Sequence, residues 1–247
     1  MTGFVAGTLV HTERGLVPIQ EIKVGDMVLS RPENNEGETH FKKVLRIVDD
    51  IEEALISVLF YMDNYVDVED SLGVCTLYAE VLTDNHLIWV NRVGEFNTDE
   101  DPNVCLEWVN TKKLLSGYEV ILSNTMVGCV DGLFNMYETL NKDIFYSLNY
   151  YGHPNYLLDL SNNQKIIYIV KHLFDDESVK DFIVDPEKPK ISSGIRIGTL
   201  SIPIVYEFYN FYHSRKDDVF AYREVYTFEV ESDYTYFVDE QGLWVHC

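Results

Sequence analysis

The first 124 residues are a succession of short apolar runs punctuated by turn residues, and that rhythm leaves few folds open. VAGTLVHT (5–12) alternates loosely, ERG (13–15) is a turn, and LVPIQEI leads into KVGDMVLSR (23–31). Val24-Gly25-Asp26 signals a turn just ahead of the apolar strand start Met27, Val28 and Leu29. After the polar loop NNEGE (34–38) come two β-rich runs, FKKVLRIVDD and ALISVLFYM, and then CTLYAEVLT (75–83). LIWVN (87–91), CLEWVN (105–110) and YEVILSN (118–124) continue the series, with Gly, Asn and Asp between them. Side chains of this kind at this spacing suit short pleated strands, which close into a barrel or stack as a sandwich. The expected fold class is mostly β.

The pattern changes after Asn124. GLFNMYETLNKDIFYSLNYYG (132–152) places its apolar residues at roughly helical spacing. NQKIIYIVKHLFDDESVKDFIV (163–184) does the same, with Ile166, Ile167, Val170, Leu173 and Phe174 as one stripe, until DPEKPK (185–190) breaks it. SGIRIGTLSIPIVYEFYNFY reads either as strands or as a strand followed by a Tyr/Phe-rich helix, and its aromatics are read as core. Residues 125–217 are therefore expected to be an insertion of mixed helix and strand. From Arg223 the β pattern returns in EVYTFEVE, TYFV and LWVHC.

A length of 247 residues allows a substantial core, and the net charge of -22 narrows the partners. Such a charge repels phosphate backbones and anionic lipid, so neither nucleic acid nor a membrane is expected, and a basic protein is the partner it suits. No apolar stretch approaches the length of a membrane-spanning helix, and MTGFVAGTLVHT lacks the basic and apolar parts of a signal peptide. Cys75, Cys105, Cys129 and Cys247 are widely scattered, with no CxxC pair and no His at zinc spacing. Neither a disulfide framework, a metal site nor a cofactor is expected; the first three cysteines read as interior thiols.

The chain ends in GLWVHC. If TYFV and LWVHC form a hairpin about the loop Asp239–Gly242, Val238 faces Leu243, Thr235 faces His246 and Tyr234 faces Cys247. Period-two alternation then puts His246 and Cys247 on opposite faces, which works against a Cys–His nucleophile pair and a thiol-hydrolase reading.

Four blocks in order carry a family resemblance. GFVAGTLVHTERGLVPIQEIKVGDMVLSRPE resembles the opening block of the Hint (Hedgehog/intein) superfamily, and EVLTDNHLIWV its second block, with Thr83 and His86 in a T-x-x-H pattern. EWVNTKKLLSGYEVIL is similar to the strand pair that follows, and VYTFEVESDYTYFVDEQGLWVH to the closing blocks. The likeness is greatest to bacterial intein-like domains and the pretoxin domains of polymorphic toxins. It implies a Hint-type horseshoe or barrel over 1–124 and 218–247, interrupted by the 125–217 insertion, which carries no LAGLIDADG-type motif.

The resemblance also implies an activity: self-cleavage of the backbone at one or both ends, with covalently attached flanking segments as the substrate. A toxin lying downstream within a larger secreted precursor, cytoplasmic before export, is the context it suggests. In such domains a first-residue Cys attacks the preceding carbonyl while the T-x-x-H His donates to the departing amine and the Thr fixes the geometry. At the far end an Asn cyclises onto its own carbonyl, polarised by the His before it. Thr83, His86 and His246 match this pattern. Gly3 stands where the Cys belongs, Cys247 where the Asn belongs, and Tyr234 where the penultimate strand often carries His. A glycine is no nucleophile, so an inactive domain is expected. The alternative is a non-catalytic scaffold of the same fold whose insertion binds a protein partner.

Overall fold

The computed structural model describes residues 2–63, 75–92, 106–139, 141–148, 154–169, 195–197 and 219–247. Its amino-terminal strands are β1 (Phe4–Val5), β2 (Leu9–Thr12), β3 (Gly15–Pro18), β4 (Met27–Ser30), β5 (His40–Asp63) and β6 (Cys75–Thr83). Then come β7 (Leu87–Arg92), β8 (Glu107–Asn110), β9 (Glu119–Ile121), β10 (Val127–Glu138), β11 (Ile144–Leu148), β12 (Pro154–Asp159), β13 (Ile166–Ile169) and β14 (Ile195–Ile197). The chain closes with β15 (Tyr222–Val230), β16 (Thr235–Val238) and β17 (Leu243–His246). The fold is mostly β. Among the described residues the helical pieces are single 3-10 turns at Ile19–Glu21, Thr111–Lys113 and Ser161–Asn163, and no helix is long and apolar enough to cross a membrane.

The long strand β5 organises the rest. Its first part pairs with β4 and β15, its second with β6 and β10. The pairing slips at Val225/Thr227 and at Val130/Gly132, bulges that bend the ribbon so that it can close. The amino-terminal strand β1 completes a circuit, because Phe4 pairs with Leu82 of β6 on one side and with Tyr226 of β15 on the other. A second run of paired strands leads from β7 through β17 and β16 to β2 and β4.

Alternation on these shared strands builds two cores back to back. Phe4, Val58, Phe60 and Leu82 face the main core with Val10, Ile88, Val90, Phe228, Tyr236 and Val245. Their neighbours Val5, Leu55, Leu59 and Val81 face the other way, onto Phe134, Met136, Phe145 and Leu158. The β10–β12 meander thus covers the back of the sheet.

Here the structure corrects the helical expectation for 132–152. That stretch holds β10 and β11, and β10 follows the period-two burial pattern eBiBeBiBeBii. Apolar residues such as Leu133 and Tyr137 on the half-buried face gave the sequence its false helical spacing. Ile166 and Ile167, placed on a helical stripe, lie in β13 instead; Val170, Leu173, Phe174 and residues 198–212 of the Tyr/Phe-rich stretch lie outside the described residues. FKKVLRIVDD and ALISVLFYM, read as two strands, are one continuous strand, β5.

Candidate functional site at the two chain ends

The closing hairpin has the register its sequence predicts, with Val238 opposite Leu243 and Thr235 opposite His246. The Cys247 amide donates to the Tyr234 carbonyl at 2.8 Å. Strand β17 also pairs with β7 at Val245–Ile88. Continuing that antiparallel register by two residues sets Cys247 opposite His86. On the other side, the Gly3 amide donates to Thr83 Oγ1 at 3.1 Å and the Thr83 amide donates to the Gly3 carbonyl at 3.1 Å. Thr83 thereby grips the residue-3 peptide by both of its polar groups. Both ends of the chain meet the β6–β7 turn that carries His86.

That turn is rigid. The His86 carbonyl accepts from the amide and the hydroxyl of Thr111, both at 2.7 Å, and Asn110 Nδ2 donates to the Asn85 carbonyl at 3.1 Å. The imidazole of His86 is fully buried and stands edge-on to Phe4 at 4.5 Å. Neither ring nitrogen has a hydrogen-bond partner among the described residues. Burial, reinforced by the positive charge of His246, lowers its pKa to about 3. At neutral pH the ring is uncharged, with one N–H to give and one lone pair to receive.

This depressed pKa makes a stability prediction. In the unfolded chain His86 takes up a proton near its ordinary value of 6.5, whereas in the folded chain it stays neutral down to about 3. Its contribution is therefore complete above pH 6.5 and is lost as pH falls, at up to about 1.4 kcal/mol per pH unit. Urea unfolding should show His86→Gln losing about 2 kcal/mol less than wild type between pH 7 and pH 5. Equal losses in the two proteins would mean that the ring titrates normally.

His246 is held differently. Its Nδ1 lies 2.9 Å from the Cys247 carbonyl oxygen and its Nε2 lies 2.9 Å from Glu33 Oε1. Both partners are acceptors, so a ring nitrogen that carries a hydrogen donates to the one it faces. Trp108 packs edge-on against it at 5.2 Å. Glu33 was invisible to sequence reasoning: it sits in an unremarkable polar loop, and only the fold brings it to His246.

The thiol of Cys247 is half-buried, packs against the main core, and is pushed up to about 12, chiefly by burial. Burial keeps it protonated, and it hydrogen-bonds the Val230 backbone, which works against the thiol-hydrolase reading. Tyr234 contributes its backbone carbonyl; its side chain is exposed and its φ is +57°.

Gly3, where the resemblance implies a Cys, has no free space for a side chain. A Cβ at this position would fall 2.9 Å from both Cβ and Cγ2 of Val225 and 3.0 Å from the Tyr226 carbonyl. The volume a cysteine would need is filled. His11 bonds the Asp239 carbonyl and His40 pairs with Asp233, structural roles both. Among the described residues no group of three His, Cys, Asp or Glu side chains has the arrangement of a metal site.

No family model and no curated protein matches the chain. Solved structures do. Over 100% of this chain and 99% of the other, it is similar to the bacterial intein-like domain from Clostridium thermocellum, at 20% identity and a TM-score of 0.46. The gp41-1 intein is similar at 12% identity and a TM-score of 0.45, over 100% of this chain and 99% of that one. A DnaB intein from Synechocystis sp. PCC 6803 gives 9% identity and 0.45, over the same shares. All three are intein-type domains. At such low identity the residue roles rest on the geometry of the site.

Proposed function

We propose that this chain is an intein-like autoprocessing domain, of the kind that separates itself from a downstream segment of a secreted precursor such as a toxin, in a form that lacks both reacting side chains. The observation that carries this reading is the placement of His246 Nδ1 2.9 Å from the Cys247 main-chain oxygen, which becomes the carbonyl oxygen of the scissile bond when a segment is joined after residue 247. A donor there stabilises the negative charge that develops on this oxygen when a nucleophile adds to its carbon. His86, neutral and without a partner among the described residues at the opposed register position, is suited to take up the proton shed by the attacking nitrogen and to pass one on to the amine that departs.

With Asn at 247 the side-chain amide nitrogen would add to the residue's own carbonyl carbon. The ring closes to a succinimide, the peptide bond to residue 248 breaks, and the leaving nitrogen takes a proton. Cys247 offers no such nitrogen. At the other end Thr83 still grips the residue-3 peptide, but Gly3 supplies nothing to attack it, and Val225 occupies the space. The downstream reaction is therefore the one that a single substitution can restore.

The test is a Cys247→Asn protein carrying a reporter after residue 247. Spontaneous release of the reporter over hours, with a succinimide or Asn at the new end by mass spectrometry, is expected. A fusion that remains whole for days while fully folded would favour the scaffold reading, in which the insertion recruits a partner.

A further inference from the structure

A second cluster of reactive groups lies apart from the two histidines. Lys165, immediately before strand β13, places Nζ 2.8 and 3.0 Å from the two carboxyl oxygens of Glu80 and 2.5 Å from Asp239 Oδ2. The side chains of Lys165 and Glu80 are 6% and 1% exposed. Three segments distant in sequence meet here: strand β6, the insertion, and the turn of the closing hairpin.

Each partner is fixed from behind. Glu80 Oε1 also accepts from the Val81 amide at 3.0 Å. Asp239 Oδ1 accepts from the Leu9 amide at 3.3 Å, and the Asp239 carbonyl is bonded by His11 at 2.6 Å. The Lys165 backbone rests on Gly7, whose φ is +86° and where a Cβ would meet the Lys165 nitrogen at 2.2 Å. Gln20 clasps both sides, accepting from the Gly7 amide at 2.8 Å and donating to the Asn163 carbonyl at 3.0 Å. The amine and the carboxyl groups cannot drift apart.

The amine and one carboxyl are interior, and the second carboxyl, that of Asp239, is 25% exposed at its edge. Burial, with the charge of Asp239 beside it, raises the Glu80 pKa well above the usual carboxylate range, so Glu80 is the group that keeps a proton. Lys165 and Asp239 face each other as ammonium and carboxylate, a pair whose neutralisation relieves the cost of holding charge out of water.

We propose that Lys165 and Asp239 are the reacting partners of an intramolecular amide cross-link, with Glu80 shuttling protons between them. A proton passes from the Lys165 ammonium to the Asp239 carboxylate by way of Glu80, leaving a neutral amine beside a neutral acid. Nζ adds to Cγ of Asp239, forming the C–N bond. One Cγ–O bond then breaks, and the oxygen leaves as water with protons relayed by Glu80. Ammonium plus carboxylate become amide plus water, Glu80 ends as it began, and no other reagent takes part. Fixing the two groups in contact supplies the effective concentration that an uncatalysed condensation lacks. The product ties the insertion to the turn between β16 and β17, and so braces the strand that carries His246.

The experiment is mass spectrometry of the purified full chain after incubation at neutral pH. The expected result is a mass lower by one water and, after trypsin, a branched peptide joining Lys165 to Asp239 with no cleavage after residue 165. Lys165→Arg and Asp239→Ala should have full mass, and Glu80→Gln should reduce the linked fraction about tenfold or more. Wild-type protein that is folded yet keeps its full mass, with trypsin cutting after Lys165 once denatured, overturns the proposal. So does a dehydration that maps elsewhere. Linkage at an undiminished rate in folded Glu80→Gln removes Glu80 from the chemistry. None of these outcomes depends on reporter release, so this inference and the autoprocessing reading fail separately.

Discussion

Alanine at position 246 is expected to slow reporter release from the Cys247→Asn fusion by about 10²–10³-fold, the usual loss when one donor to a developing oxyanion is removed. The effect is large because His246 makes the described side-chain contact to that carbonyl, and because Glu33 and Trp108 hold its ring in place. His86→Ala should cost a comparable factor of about 10²–10⁴ if His86 relays the proton from the attacking nitrogen to the leaving amine. Glu33→Gln is a milder change: it keeps a hydrogen-bond acceptor but weakens the contact that orients the ring, and about a tenfold loss is the expected result. Rates are read from the appearance of free reporter across pH 5 to 9. Release that is indifferent to His246→Ala would place the oxyanion elsewhere and undo the assignment.

Trp244→Ala should be the most damaging substitution for stability, at about 3–5 kcal/mol. Trp244 is fully buried in β17. Its indole lies 5.1 Å from Trp89, 4.8 Å from Trp108 and 6.2 Å from Phe237, and the Arg31 guanidinium sits over it at 5.5 Å. Removing it opens a cavity lined by rings too rigid to collapse into the gap, which is the condition under which truncation costs most. Trp108 also packs on His246, so loss of Trp244 loosens the site as well as the core. Chemical denaturation of wild type and variant checks the first effect, and release from the asparagine fusion the second. A midpoint change worth less than about 1 kcal/mol would show that the aromatic cluster repacks around the gap.

What was legible in the sequence depended on the range over which each feature is decided. The closing hairpin is local: TYFV, a four-residue turn with Gly242, then LWVH fixes its own register, and the structure reproduces it pair for pair. Strand β6 was read with its observed bounds, because CTLYAEVLT is flanked by turn residues. The T-x-x-H spacing brought Thr83 and His86 to notice, and both do stand beside the chain ends. The region after Asn124 misled because β10 lies between two partly apolar environments, so that both of its faces carry hydrophobic residues and the period of two is blurred. Glu33 and Lys165 were out of reach for another reason. Each meets its partners only through the tertiary fold, and no local pattern reveals which distant group a carboxylate or an amine will engage.

Val225 acts as a ratchet on the amino-terminal position. Because its Cβ stands where a side chain at residue 3 would begin, trimming it to alanine leaves the obstruction in place. A thiol can enter only after residue 225 becomes glycine or β15 is displaced, and β15 is held along its length by β5. Any side chain at position 3 therefore waits on a change at position 225 or a shift of β15.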